Sequence, residues 1–119
     1  MTKRARQQGE LESSILNVLW SAKQPLSSQE ILERVGEGDL ALTTILTVLS
    51  RLTDKNLVVR EPGEGRSFLF TAAQSREQHT ADLMLKLVAE ESNPALAFSA
   101  FAKGLTASQL KALRKTLDN

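Results

Sequence analysis

The chain has no cysteine, a single histidine and no apolar run near the length of a membrane span. Without cysteine, disulfides, zinc–cysteine centres and thiol chemistry are excluded together. His79 alone cannot build a metal site, and any Ser-His-Asp triad would have to be centred on it. A membrane-spanning helix needs roughly 20 consecutive apolar residues, so no membrane insertion is expected. The basic start, Met1-Thr2-Lys3-Arg4-Ala5-Arg6-Gln7-Gln8, is not followed by the apolar stretch of a signal peptide, and a soluble cytoplasmic protein is expected. Also absent are a nucleophile elbow, a phosphate loop, a metal-spaced His/Glu pair and a dinucleotide fingerprint. Gly63-Glu64-Gly65 is too short to cradle a phosphate and lies between strands. Asp54 neighbours Lys55 and Arg51, and Glu90-Glu91 close a helix, so no two acids make an acid/base pair. An enzyme is not expected, nor is a cofactor. There is no internal repeat and no low-complexity segment.

A strong charge of one sign is missing as well. Lys and Arg number 15 against 14 Asp and Glu, a formal net charge of +1. Residues 1–72 are neutral, with nine Lys/Arg and nine Asp/Glu. Nucleic-acid binding, which often goes with a strongly basic domain, then depends on where the charges sit. Lys3, Arg4 and Arg6 cluster in the tail, and Arg51, Lys55, Arg60 and Arg66 follow in the middle of the chain. The acids Glu30, Glu33, Glu37 and Asp39 lie upstream of that middle group. Modest affinity per monomer is expected, with dimerisation supplying the remainder.

What is present fits one domain with an association element: 119 residues, 41% apolar and 24% charged. Leu11, Ile15, Leu16, Leu19 and Trp20 share one face of a first helix, which ends before Pro25. Ser27-Ser28-Gln29-Glu30 is a capping box opening a second helix with Ile31, Leu32 and Val35 inward, stopped by Gly36-Glu37-Gly38.

The third helix is the most informative element. In Thr43-Thr44-Ile45-Leu46-Thr47-Val48-Leu49-Ser50-Arg51-Leu52, the residues Ile45, Val48, Leu49 and Leu52 form a core-facing stripe. The opposite face carries Thr43, Thr47, Ser50 and Arg51, where an ordinary solvated face would more often carry Glu and Lys. Short hydroxyls allow close approach to another surface and can bond phosphates or base edges. Thr44 sits at the helix entrance, and Leu46 beside the contact face either touches a thymine methyl or packs under the wing. A strand over Leu57–Glu61, a turn at Pro62-Gly63-Glu64-Gly65 and a second strand over Arg66–Thr71 follow. Helix, turn, helix and basic-tipped hairpin in this order predict a winged helix-turn-helix that binds double-stranded operator DNA.

Beyond Thr71 three short helices are expected. Ser75-Arg76-Glu77-Gln78 opens the first, Asn93-Pro94 the second and Thr106-Ala107-Ser108-Gln109 the third. Each is apolar on one side, and alone they would expose a large apolar surface, the usual mark of association. Leu83, Leu87, Phe98, Phe101, Leu110, Leu113 and Leu117 are the expected homodimer interface. The expected fold class is mainly α with a small β-hairpin. Its parts are a flexible basic tail over 1–10, a winged helix-turn-helix over 11–72 and a three-helix dimerisation domain over 73–119. Expected DNA contacts are Thr43, Thr44, Thr47, Ser50 and Arg51, with Lys55 and Arg66 on phosphates and Lys3, Arg4 and Arg6 adding salt-sensitive contacts.

The runs Leu11-Glu12-Ser13-Ser14-Ile15-Leu16-Asn17-Val18-Leu19-Trp20 and Leu42 to Val58 resemble the penicillinase-repressor (BlaI/MecI-type) family. The Thr-Thr-Ile-x-Thr-Val-Leu-x-Arg-Leu-x-x-Lys-x-Leu-Val pattern is the most specific part. The resemblance covers nearly the whole length and implies a dimeric repressor of regulated promoters whose C-terminal helices interlock and which needs no cofactor. It also implies relief by proteolysis in the C-terminal domain, where a membrane sensor-protease for β-lactams acts between Asn and Phe. The corresponding bond here is Ala100–Phe101, with the Phe present and Ala in place of Asn. Copper-responsive relatives bind metal through C-terminal cysteines, and this chain has none. Some members carry arginine at the position of Leu46, which bears on the operator sequence. Two other readings stand beside the repressor: a small-ligand-responsive winged-helix regulator, and a winged-helix module whose hydroxyl face binds protein.

Overall fold

The computed structural model describes residues 8–36 and 38–119. Helix α1 (Gln8–Ser21) is followed by β1 (Leu26–Ser27), α2 (Ser28–Val35), α3 (Leu42–Asp54), β2 (Val58–Pro62) and β3 (Phe68–Ala72). Three helices complete the chain: α4 (Arg76–Ala89), α5 (Pro94–Gly104) and α6 (Ala107–Leu117). The fold is mainly helical with a small antiparallel sheet, as the sequence patterns predict.

Local chemistry sets the ends of the elements that position α3. The Ser27 hydroxyl accepts the Glu30 N–H at 3.1 Å, and the Glu30 carboxylate accepts the Ser27 N–H at 3.0 Å. This reciprocal pair starts α2 and holds the Glu30 carboxyl below its ordinary range, through the Ser27 backbone N–H first and then the Ser27 side chain. Gly36, at φ 75°, ends α2 in the left-handed region and donates its N–H to Leu32 O. Asn56, at φ 62°, does the same after α3, and Asn tolerates that conformation better than most side chains. The chain thereby reverses into β2, with Leu57 N–H bonded to Leu52 O at 2.9 Å.

The core is built from one stripe of each element. Leu11, Ile15, Leu16 and Leu19 of α1, Ile31 of α2, and Ile45, Val48, Leu49 and Leu52 of α3 are buried together with Leu26, Val58 and Phe70. Each such side chain contributes roughly 1.5–3 kcal/mol by leaving water. Helices α1, α2 and α3 pack on one another, and the sheet closes the remaining side.

The sheet differs from the expected hairpin. It has three strands in the order β1-β3-β2, because Leu26 and Ser27 pair with Phe70 and Leu69 before α2 begins. The strand β3 starts at Phe68 instead of Arg66, because Ser67 N–H bonds Glu64 O and keeps Arg66 and Ser67 in the turn. Helix α1 starts at Gln8, inside the segment expected to be tail.

The described residues form two compact units, divided between His79 and Thr80. The division falls after the start of α4 because Trp20 holds that start. Its indole N–H donates to Gln74 O at 2.9 Å, the Arg76 guanidinium lies 5.0 Å from its ring centre, and the His79 ring lies 5.3 Å away. Still in the first unit, Ser75 Oγ caps α4 by accepting the Gln78 N–H, and in the second unit Thr106 and Gln109 cap α6 reciprocally. Asn93 does not cap α5: its side chain makes no cap hydrogen bond, and the following Pro94 biases it toward extended backbone.

Candidate nucleic-acid interface

Helix α3 has its apolar stripe fully engaged in the core and its opposite face open. Thr43, Thr44, Leu46, Thr47, Ser50 and Arg51 are all exposed. The Thr47 hydroxyl donates to Thr43 O at 2.9 Å, which leaves its lone pairs as acceptors facing outward. Thr53, nearer the sheet, turns its hydroxyl back to Leu49 O at 2.8 Å. Among the described residues, neither Arg51 nor Arg66 enters an ion pair or side-chain hydrogen bond. Both guanidinium groups are therefore available to an external anion.

The helix begins without a side-chain cap. Ala41 occupies the N-cap with φ −85° and ψ 148°, and its methyl group cannot accept from the first turn. Thr44 stands exposed in that turn, so the unpaired N–H donors and hydroxyl of the α3 entrance share one end of the contact face.

The hairpin β2–β3 lies beside α3 and projects its turn into solvent. Gly63 N–H donates to Ser67 O at 2.9 Å, closing the turn, and Gly65 takes φ 62° within it. A side chain at Gly63 would meet Ser67 Oγ at 3.0 Å and Leu69 Cγ at 3.2 Å, so the close crossing there favours glycine. Arg66 is at the tip, exposed. Arg60 lies one diagonal step across the strand pair from Phe68, with its guanidinium 4.2 Å from the ring centre.

Of the cations expected on DNA, Lys55 stands apart. Its ammonium bonds both oxygens of the Glu12 carboxylate, at 2.9 and 3.1 Å, which fastens the end of α3 to α1. Lys3, Arg4 and Arg6 lie outside the described residues. The structure thus brings Thr43, Thr44, Thr47, Ser50 and Arg51 onto one helix face with Arg66 on the neighbouring hairpin.

A family model described as penicillinase repressor matches residues 8–119. The chain belongs to the penicillinase-repressor family. It is 31% identical over 113 residues to the transcriptional regulator BlaI of Mycobacterium tuberculosis, a match spanning 92% of this chain and 81% of that protein in both strain CDC 1551 / Oshkosh and strain ATCC 25618 / H37Rv. Among solved structures, the ferric uptake regulator Fur of Helicobacter pylori superposes with a TM-score of 0.50 at 16% identity, a likeness of fold alone. That match covers 56% of this chain and 47% of the other, so the chain matches about half of that regulator. The PcaV regulator of Streptomyces coelicolor gives a TM-score of 0.48 at 24% identity over 91% of this chain and 70% of its own.

In this penicillinase-repressor chain the second unit carries the apolar surface that its sequence suggests. Leu83, Leu87, Phe98, Phe101 and Leu117 are exposed, and Leu110 and Leu113 are half-buried. Met84, Leu85 and Leu96 are exposed beside them and extend the surface beyond the residues singled out by helical spacing. An apolar groove of about 240 Å³, lined by Met84, Leu87, Val88, Phe98 and Phe101, runs along it. No side chain between Thr80 and Asn119 is fully buried within the single chain. The Ala100–Phe101 bond lies inside α5. Among the described residues, no helix is long and apolar enough to cross a membrane.

Proposed function

We propose that this transcriptional regulator is a cytoplasmic repressor that binds palindromic operators as a homodimer, with α3 in the major groove and the β2–β3 turn on the flanking backbone. The observation that carries this reading is the two-sidedness of α3. Its buried stripe fixes the docking angle, while its exposed face offers Thr43, Thr47, Ser50 and an unpaired Arg51. Such groups at one face suit base edges and phosphates, and Arg66 on the wing adds a second phosphate contact. The exposed apolar helices α4, α5 and α6 support self-association, and two-fold symmetry then pairs the two α3 helices for two half-sites. Leu83, Leu87, Phe98, Phe101, Leu110, Leu113 and Leu117 form the interface in this reading.

Relief by proteolysis belongs to the same proposal. A membrane sensor-protease cuts between Ala100 and Phe101 and so removes part of the dimer surface. Because that bond is helical in the free chain, cleavage requires local unwinding of α5 before the backbone can enter a protease.

The test is a gel-shift titration of wild-type protein, Arg51→Ala and Arg66→Ala against DNA from the protein's own promoter region. Both variants are expected to keep the wild-type melting temperature and to lose affinity. Equal affinity of all three proteins would contradict the proposed interface.

A further inference from the structure

Two large apolar side chains stand in the open at the wing-side edge of α3. Leu46 is 44% exposed and Phe68 is 42% exposed, although both border the buried core residues Leu49 and Phe70. They border one groove of about 350 Å³, shared with Ser50, Thr53, Asp54 and Arg60. Leu46 and Ser50 are an i, i+4 pair, so the apolar edge is continuous with the hydroxyl face. The Arg60 guanidinium lies over the Phe68 ring at 4.2 Å, and the Asp54 carboxylate borders the same groove. The major-groove feature that suits an apolar side chain is the thymine 5-methyl group.

We propose that Leu46, backed by Phe68, contacts thymine 5-methyl groups and makes the wing-side edge of α3 select T·A pairs at the matching half-site positions. This rests on the operator-binding role of α3. Phe68 serves as the wall that keeps Leu46 directed toward the bases, and Arg60 holds the ring in place. The gain for each methyl is roughly fourfold in affinity, that of one buried methylene. Both side chains are exposed, so shortening Leu46 removes little from the core.

The experiment begins with duplexes enriched by the full-length wild-type protein from a randomised library. The enriched duplex is then made with thymine, and again with deoxyuridine replacing thymine one half-site position at a time. Wild-type protein is expected to bind the thymine duplex roughly fourfold more tightly than the deoxyuridine duplex at one or two positions. Leu46→Ala should bind both duplexes alike at those positions, and Leu46→Met should retain the preference. A preference unchanged in Leu46→Ala, or no methyl effect in the wild type, overturns the assignment while leaving operator binding intact. Failure to enrich any duplex overturns the operator-binding role itself, and the assignment with it.

Discussion

The Lys55 ammonium lies 2.9 Å from Glu12 Oε1, so the cation that closes α3 is neutralised by an acid of α1. The acid is the better sheltered partner, with 15% of its side chain exposed against 52% for the lysine. This pair trims the positive charge offered at one end of the contact face while tying two core helices together. Glu12→Gln is expected to release Lys55 for phosphate contact. Affinity for operator DNA should rise, and the slope of log affinity against log salt should steepen by up to about 0.9. Stability should change by no more than about 1 kcal/mol, the worth of a partly exposed pair. A salt titration by fluorescence anisotropy reads the first effect; an unchanged slope would mean that Lys55 does not face DNA.

The start of α3 offers a substitution whose two effects have opposite signs. Ala41 is a poor N-cap, and Ala41→Asp supplies the missing acceptor, which typically stabilises by about 1 kcal/mol. The same carboxylate would bring negative charge to the entrance of the proposed DNA-contact face. The variant should therefore melt higher and bind DNA more weakly. Thermal melting with a parallel gel shift separates the two, and tighter DNA binding would place the α3 entrance away from the backbone.

The capping box of α2 sets both a stability increment and an acid sensitivity. Ser27→Ala should cost about 1 kcal/mol by orphaning the Glu30 N–H. The Glu30 carboxyl is lowered from its ordinary 4.5 in the folded chain. Its contribution is then fully present above that value and is lost as pH falls through the lower folded value. Melting temperature measured across acid pH should show this loss in the wild type and a flatter profile in Glu30→Gln. Identical profiles would show that the carboxylate does not hold the helix start.

Self-association is tested at Phe101, which is exposed on α5 in the single chain. In a dimer that buries this ring, Phe101→Glu would bury an unpaired charge and should yield monomers in sedimentation velocity. Because the residue is exposed in the monomer, its secondary structure should persist. An intact dimer would move the interface elsewhere on the second unit.

The parts of the fold that were legible in the sequence are those set by near neighbours. The Ser27 and Glu30 capping box, the glycine stop at Gly36 and the two faces of α3 all follow from residues within a turn or two of one another. What escaped depends on distant partners. Strand β1 is two residues long, too short for alternation to register, and exists only because β3 lies beside it. The Lys55–Glu12 pair joins residues far apart in the chain, so Lys55 read as a spare cation. The hold of Trp20 on Gln74 and Arg76 likewise carries the first unit past Ala72, where the winged helix-turn-helix is expected to end. Within the candidate site, the residues facing outward from α3 were legible because its apolar stripe leaves them only one direction. The placement of Arg60 over Phe68 was not, since a cation over a ring across a strand pair has no linear signature.

Footprinting of the promoter-region DNA with purified protein at low salt decides whether paired α3 helices read an operator. Two protected half-sites related by a dyad and spaced by one or two helical turns are expected, with major-groove guanines or adenines shielded inside each. Protection should fade as salt rises. A promoter left uniformly cleaved at low salt, at protein concentrations that sustain the dimer, would contradict it.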